Sequence, residues 1–201
     1  VQHGTYEFLP DTTINWANRP KPGVPRADDP GTIPVLWTID MIQVNGKLYS
    51  SKPPMYSTCL AGIVWGAQKL TGLTGYGPLT MHDHPLAMIR IMLIVGQVLP
   101  LAVALLLLRR NIFRLTDSPF ARDFTMLAAC LGTYLTPWSI TINNHVPAAA
   151  TGMIALDAAI RIWYEHRREW YWFTLVGFFA ALTATIELPA ALLAVTLFVA
   201  L

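Results

Sequence analysis

The chain changes character at about Lys52: the residues before it are mostly polar and are broken by Pro10, Pro20, Pro22, Pro25, Pro30 and Pro34, whereas those after it fall into long apolar runs. That proline spacing leaves no room for a helix, so the first part is predicted to be a loop or small elaborated segment outside a bilayer. The apolar runs lie at 54–70, 85–108, 124–142, 146–164, 170–186 and 188–201. A bilayer-spanning helix needs about 20 apolar residues, and the second, third and fourth runs meet that length. The first is short and carries Tyr56, Ser57, Thr58, Gln68 and Lys69, so it is expected to lie in the interface rather than to cross. Glu187 and Pro189 separate the last two, which read either as two spans joined by a tight turn or as one broken helix. The expected fold class is all-α, a polytopic transmembrane helical bundle. Residues 1–53 form its external Pro-rich loop, 54–84 an interfacial helix with a connecting loop, and 85–201 about four to five spans.

Composition supports this class. The chain is 54% hydrophobic and only 13% charged, with a mean hydropathy of +0.43, too apolar for an ordinary soluble domain of 201 residues. A net charge of +2 says little, because placement matters more than the sum, and no nucleic-acid partner is expected. Cys59 and Cys130 both lie in apolar stretches, which favours buried thiols over a disulfide. The chain starts at Val1 without a basic and then apolar leader and stops inside an apolar run, so it is expected to be an excerpt of a longer protein.

Basic residues give the orientation. Arg109, Arg110, Arg114 and Arg122 cluster after the second run, and Arg161, Arg167 and Arg168 after the fourth, which puts both loops on the cytoplasmic side of an inner membrane. Asp28, Asp29, Asp40, Lys52, His82, Asp83, His84, Asn143, Asn144, His145 and Glu187 then face one external compartment, with Arg90 about one turn inside the membrane. Ionisable groups at that depth either face a cavity or snorkel, and Arg90 admits both readings. His82 and His84 form either a solvated loop or part of a metal site, a divalent metal being compatible with the pattern but without identified ligands. Asn143, Asn144 and His145 either cap the helix that Pro147 opens or line a site. Asp157 and Arg161, four apart, are expected to pair on one helix face. Trp163, Tyr164, Trp170, Tyr171 and Trp172 read as an interfacial aromatic belt.

The segment from Asn45 to Met55, NGKLYSSKPPM, leads directly into the first apolar run. Its Lys-Pro-Pro step forces an extended turn, after which Pro54 can open a helix without losing a needed N–H. This segment resembles the N-G-x-x-Y-x-x-K-P-P-L motif in the first external loop of the GT-C superfamily of membrane glycosyltransferases, especially its aminoarabinose-transferase and protein O-mannosyltransferase-like branch. The resemblance implies transfer of a sugar from a polyprenyl-phosphate-linked donor to a lipid, glycan or protein acceptor on the external face. In that family an acidic residue of the external loop deprotonates or orients the acceptor, and basic groups hold the departing phosphate. Carried onto this chain, Tyr49 and Lys52 match the motif and are expected to meet the sugar or its phosphate, with Arg90, His84, Asn144 and His145 as further substrate contacts. The family's acidic signature falls here in Pro-rich sequence, and the acid itself is expected upstream of Val1; Asp40 is the external acid that remains as a catalytic candidate. A reading from a different class is a transporter or flippase-like protein that binds a lipid headgroup without chemistry.

The orientation is testable by labelling. Single cysteines placed at Asn18 and at Thr74 are expected to react with an impermeant reagent from the outside, and one at Thr116 only after permeabilisation. Labelling at Thr74 only after permeabilisation would mean that the first apolar run crosses the bilayer.

Overall fold

The computed structural model describes residues 7–8, 41–44, 47–50, 52–74 and 77–200, and the chain divides into two compact units, Val1–Lys52 and Pro53–Leu201. Asp28, Asp29 and Asp40 lie outside the described residues.

In the first unit the described residues add strands to the segment expected to be a loop or small elaborated segment. Three short strands, β1 (Glu7–Phe8), β2 (Met41–Val44) and β3 (Lys47–Ser50), form an antiparallel sheet in the order β1-β3-β2. Val44 pairs with Lys47, so only Asn45 and Gly46 separate β2 from β3. A two-residue Asn-Gly link between β-branched and aromatic runs is the strongest local hairpin signal in a sequence. Within the motif, Lys47–Ser50 is thus a strand, with Tyr49 opposite Glu7 on one side and Ile42 on the other.

The described residues of the second unit are helical. α1 (Pro54–Gly72) follows an extended Pro53 with Pro54 in its first turn, as the Lys-Pro-Pro reading requires. α2 (Pro85–Leu93) passes through a π-helical turn (Ile94–Val98) into α3 (Leu99–Leu115), giving one continuous helical rod of 31 residues, longer than the run expected. The π turn has a local cause. Pro100 has no N–H for Gly96 O, its partner in regular helical spacing, and the Leu99 N–H instead reaches five residues back to Ile94 O.

α4 (Pro119–Leu131) begins at Ser118, whose hydroxyl accepts from the Ala121 N–H at 3.3 Å. The span expected over 124–142 is not one helix. α4 ends at Gly132, and only the short α5 (Leu135–Trp138) follows before 145. The hydroxyls of Thr133 and Thr136 take the carbonyls of Ala129 and Cys130 at 2.8 and 2.6 Å, satisfying the helix end locally, and Pro137 cannot extend the helix backwards.

α6 (His145–Tyr164) is the central element, packed against α3 and against α7 (Trp170–Ile186). Its buried face is rich in small residues, Ala148, Ala150, Gly152, Ala155, Ala158 and Ala159, which lets neighbouring backbones approach closely. At Gly152 an added Cβ would lie 3.2 Å from Leu193 and 3.6 Å from Thr183. The Thr183 hydroxyl also donates to the Thr151 hydroxyl at 2.8 Å. Between α6 and α7 the chain reverses at His166, whose φ of 54° is left-handed, and the Arg167 N–H returns to Arg161 O at 3.2 Å. A 3₁₀ turn (Leu188–Ala190) leads into α8 (Ala191–Ala200). The Trp163 indole donates to Ala200 O at 3.3 Å, so α8 folds back along α7 across a tight turn, and both helices are shorter than the two long apolar ones.

Among the described residues two helices, Pro85–Leu115 and His145–Tyr164, are long and apolar enough to cross a membrane. Large apolar side chains such as Leu106, Phe124, Leu131, Phe178 and Phe198 are exposed on the outer helix faces, as a lipid solvent favours. Both cysteines are free as expected, but neither is buried: Cys59 is exposed and Cys130 half-buried.

The expected Asp157–Arg161 pair is part of a larger cluster. Asp157, 5% exposed on α6, accepts Arg161 at 3.2 Å and, from α3, Arg114 at 3.1 Å and both Nε and Nη2 of Arg110. Glu165 takes Arg114 at 3.0 Å and Arg161 at 3.6 Å. Removing one member of a fully buried pair costs about 3–5 kcal/mol, whereas a hydrogen bond to a charged group contributes about 1.5–3. The arginines keep partial exposure, between 19% and 43% for their side chains, which places this cluster in the lower range. Asp157→Asn is therefore expected to destabilise the chain by about 2 kcal/mol, read as a lower thermal midpoint in detergent. An unchanged midpoint would show that the arginines re-solvate freely.

Candidate functional site

At the end of α3 and α6 opposite the arginine cluster, a second set of polar groups converges. It begins with the carbonyl that Pro100 leaves open. Tyr56, on the first turn of α1, donates its hydroxyl to Gly96 O at 3.3 Å. Gln97, fully buried in the π turn, donates its amide to the Tyr56 hydroxyl and to Asn143 O, the latter at 2.6 Å. Its Oε1 is buried without a partner. Burial holds the Tyr56 phenol above its ordinary value, so it stays neutral and serves as donor and acceptor at once.

Asn143 and the two residues after it divide their work. The Asn143 side chain is the cap of α6, its Oδ1 accepting from the N–H groups of His145 and Val146 at 3.0 and 3.3 Å. Its amide nitrogen ties down the preceding turn through Trp138 O at 2.7 Å and Thr141 O at 3.0 Å. Asn144 and His145 instead reach across to the end of α7. The Asn144 amide donates to Ile186 O at 3.2 Å and to Glu187 Oε2 at 2.5 Å. His145 places Nδ1 at 3.0 Å from the same oxygen. Its ring stacks on Trp138 with centroids 4.3 Å apart, and Trp138 stacks in turn on Tyr134 at 5.7 Å.

With Nδ1–H donating to Glu187, Nε2 of His145 carries the lone pair. A carboxylate thus fixes the tautomer and a stacked indole fixes the ring plane, the arrangement that suits an imidazole to take up a proton. The signal for Glu187 in the sequence is its isolation: it is the sole charge between Trp170 and Leu201, and it sits where the apolar pattern breaks. Gln97 and Tyr56 carry no such signal, because an uncharged residue inside an apolar run reads as core.

The other expected contacts stand apart from this set. His84 precedes α2 and its recorded bonds are backbone ones, from its N–H to Thr80 O and from the Met88 N–H to its own carbonyl. No hydrogen bond, ion pair or ring contact joins it to Asn144 or His145. Asp83 next to it is held below the usual carboxylate range by the Thr80 hydroxyl and then by His82 at 3.0 Å. Its contribution to this turn is therefore complete above the ordinary carboxylate range and is lost as pH falls through the lowered value. Arg90 is exposed on α2, and no ion pair engages it among the described residues. Lys52 is exposed and ends the first unit, in which Tyr49 lies on β3. Among the described residues no group of three or more His, Cys, Asp or Glu is placed to hold a metal ion.

No family model matches the chain, and comparison with curated proteins and with solved structures finds no similar protein either.

The cap and the dyad can be separated by mutation. Asn143→Ala is expected to lower stability by about 1 kcal/mol, the usual worth of a helix cap, and Asn143→Asp to recover most of it because the capping oxygen remains. Thermal unfolding of the two variants checks this. Equal losses would assign the effect to the amide's bonds with Trp138 and Thr141.

Proposed function

We propose that the chain is part of a membrane glycosyltransferase of the GT-C type, transferring a sugar from a polyprenyl-phosphate-linked donor to an acceptor hydroxyl on the external face of a cell membrane. The observation that carries this reading is the His145–Glu187 dyad, seated with Asn144 at the end of the helices opposite the arginine-rich end. The motif resemblance from Asn45 to Met55 supplies the donor class.

In the proposed reaction His145 Nε2 takes the proton of the acceptor hydroxyl while Glu187 holds Nδ1–H and stabilises the imidazolium that forms. The acceptor oxygen bonds to the anomeric carbon as the bond from that carbon to the donor phosphate oxygen breaks. The polyprenyl phosphate leaves with the electron pair. The resemblance gives Lys52 and Tyr49 the donor phosphate and sugar, and Arg90 is a further cation for the developing anion. The same resemblance gives the general-base role to an external acid, of which Asp40 is the candidate in this chain. The competing reading is a headgroup-binding transporter or flippase-like protein. The π-helical turn beside Pro100 favours it, since interrupted spans line substrate paths in transporters.

Transfer from a synthetic polyprenyl-phosphate sugar by the full-length protein in detergent or liposomes tests both. His145→Ala is expected to lower the rate by about 10²–10⁴, the range for loss of a general base and far beyond the effect of losing its contacts with Trp138 and Glu187, with Glu187→Gln following it in part. Lys52→Ala is expected to lower it by roughly ten- to a hundredfold under subsaturating donor, with partial recovery in Lys52→Arg. Full activity in His145→Ala together with inactivity in Asp40→Asn would return the base role to the external acid. Binding of the lipid-linked sugar without any turnover by the wild-type protein would favour the transporter.

A further inference from the structure

We infer that the basic end of the long helix Pro85–Leu115 carries a binding site for the headgroup of an anionic phospholipid. This goes beyond the enzymatic reading and rests only on placement of the chain in a bilayer. The helix has 31 residues, or about 46 Å at 1.5 Å per residue, enough to cross the headgroup layers as well as the hydrocarbon core. The arginines at its end mark the side of the membrane they face, and their long side chains reach headgroup level from the last turns of the helix, Arg109 to Arg114. There one face of α3 presents a shallow, open surface region of about 560 Å³ lined by Leu106, Leu107, Arg109, Arg110, Phe113 and Arg114.

Charge and polarity select the occupant. Arg110, Arg114 and Arg161 share Asp157 and Glu165, and Arg109 has no carboxylate partner among the described residues. Four arginines against two carboxylates leave an excess of two positive charges around this surface. Arg109 and Arg122 both lie over the Phe113 ring, at 4.8 and 4.3 Å from its centroid, and Arg122 is further held by Thr116 O at 2.8 Å and Asp117 at 3.0 Å. The guanidinium of Arg109 thereby rests against an aromatic ring rather than a carboxylate. Leu106, 66% exposed, and Phe113, 46% exposed, give apolar surface beside the cations. A free phosphate ion gains nothing from that surface, whereas the glycerol and first methylenes of a phospholipid do.

Native mass spectrometry of the full-length protein, titrated with phosphatidylglycerol or phosphatidylcholine, tests this. The protein is expected to retain phosphatidylglycerol preferentially. Arg109→Ala should weaken that retention about fivefold, the effect of one cation near an anionic lipid surface. Arg168→Ala, which removes the same charge from the exposed link after α6, should change it little. Equal retention of both lipids, equal losses in the two variants, or protection from heat by millimolar inorganic phosphate equal to that by phosphatidylglycerol would each overturn the site. Release of the protein from membranes by alkaline carbonate would remove the bilayer premise itself, and is scored separately from the lipid titration.

Discussion

The arrangement of the helical unit depends on one buried carboxylate. Asp157 sits on α6 and is held by arginines from two helices, so it fixes not only that α3 and α6 touch but at which level they do so. The two helices run in the same direction. From Arg110 back to Gln97 and from Asp157 back to Asn143 the chain covers nearly equal lengths of helix, about 20 Å each at 1.5 Å per residue. Register set at the charged end therefore delivers Gln97 to Asn143 O at the other. The small residues of α6 permit the approach but do not choose a level, because an alanine face can slide. A multidentate ion cluster cannot.

At the opposite end the chemistry is built from positions where helical regularity fails. Pro100 withdraws one donor, the π turn absorbs the mismatch and turns Gln97 inward, and Tyr56 supplies the bond that Gly96 O lost. α6 starts on the Asn143 side chain, and α7 stops at Glu187, whose carboxylate gathers Asn144 and His145. Each of these polar groups is engaged because a helix begins, ends or bulges beside it. Side chains at such points are fixed by backbone geometry on two sides, which gives the His145 ring a defined orientation without a dense polar core around it.

These two ends were unequally legible in the sequence. The arginine clusters, the spans 85–108 and 146–164, the proline-led start of α1 and the Asp157–Arg161 pair could be read directly, since charge placement, apolar length and i,i+4 spacing are local properties. Asn144 and His145 were recognisable as candidates, but their meeting with Glu187 depends on α7 returning beside α6, which no periodicity encodes. The run 124–142 was misread because hydropathy does not register Thr133 and Thr136 turning their hydroxyls onto helix carbonyls. The hairpin of β2 and β3 carries its own signal in Asn45-Gly46, but six prolines between Pro10 and Pro34 give the segment the composition of a loop. Tyr49 and Lys52 remain tied to the resemblance, and His84 remains on its own turn.

The left-handed residue His166 has a consequence for how the unit is assembled. Chain reversal there is closed by a bond between neighbours six residues apart, Arg167 to Arg161, so α6 and α7 can pair as soon as both have left the ribosome. α7 and α8 are likewise adjacent in sequence. The bond from Arg110 to Asp157 instead closes a loop of 47 residues that contains all of α4 and α5, and loop closure of that length is entropically slower than forming a hairpin. Loop length alone thus favours the α6–α7 and α7–α8 hairpins closing before the contact of α3 with α6, which the arginines and Asp157 then lock.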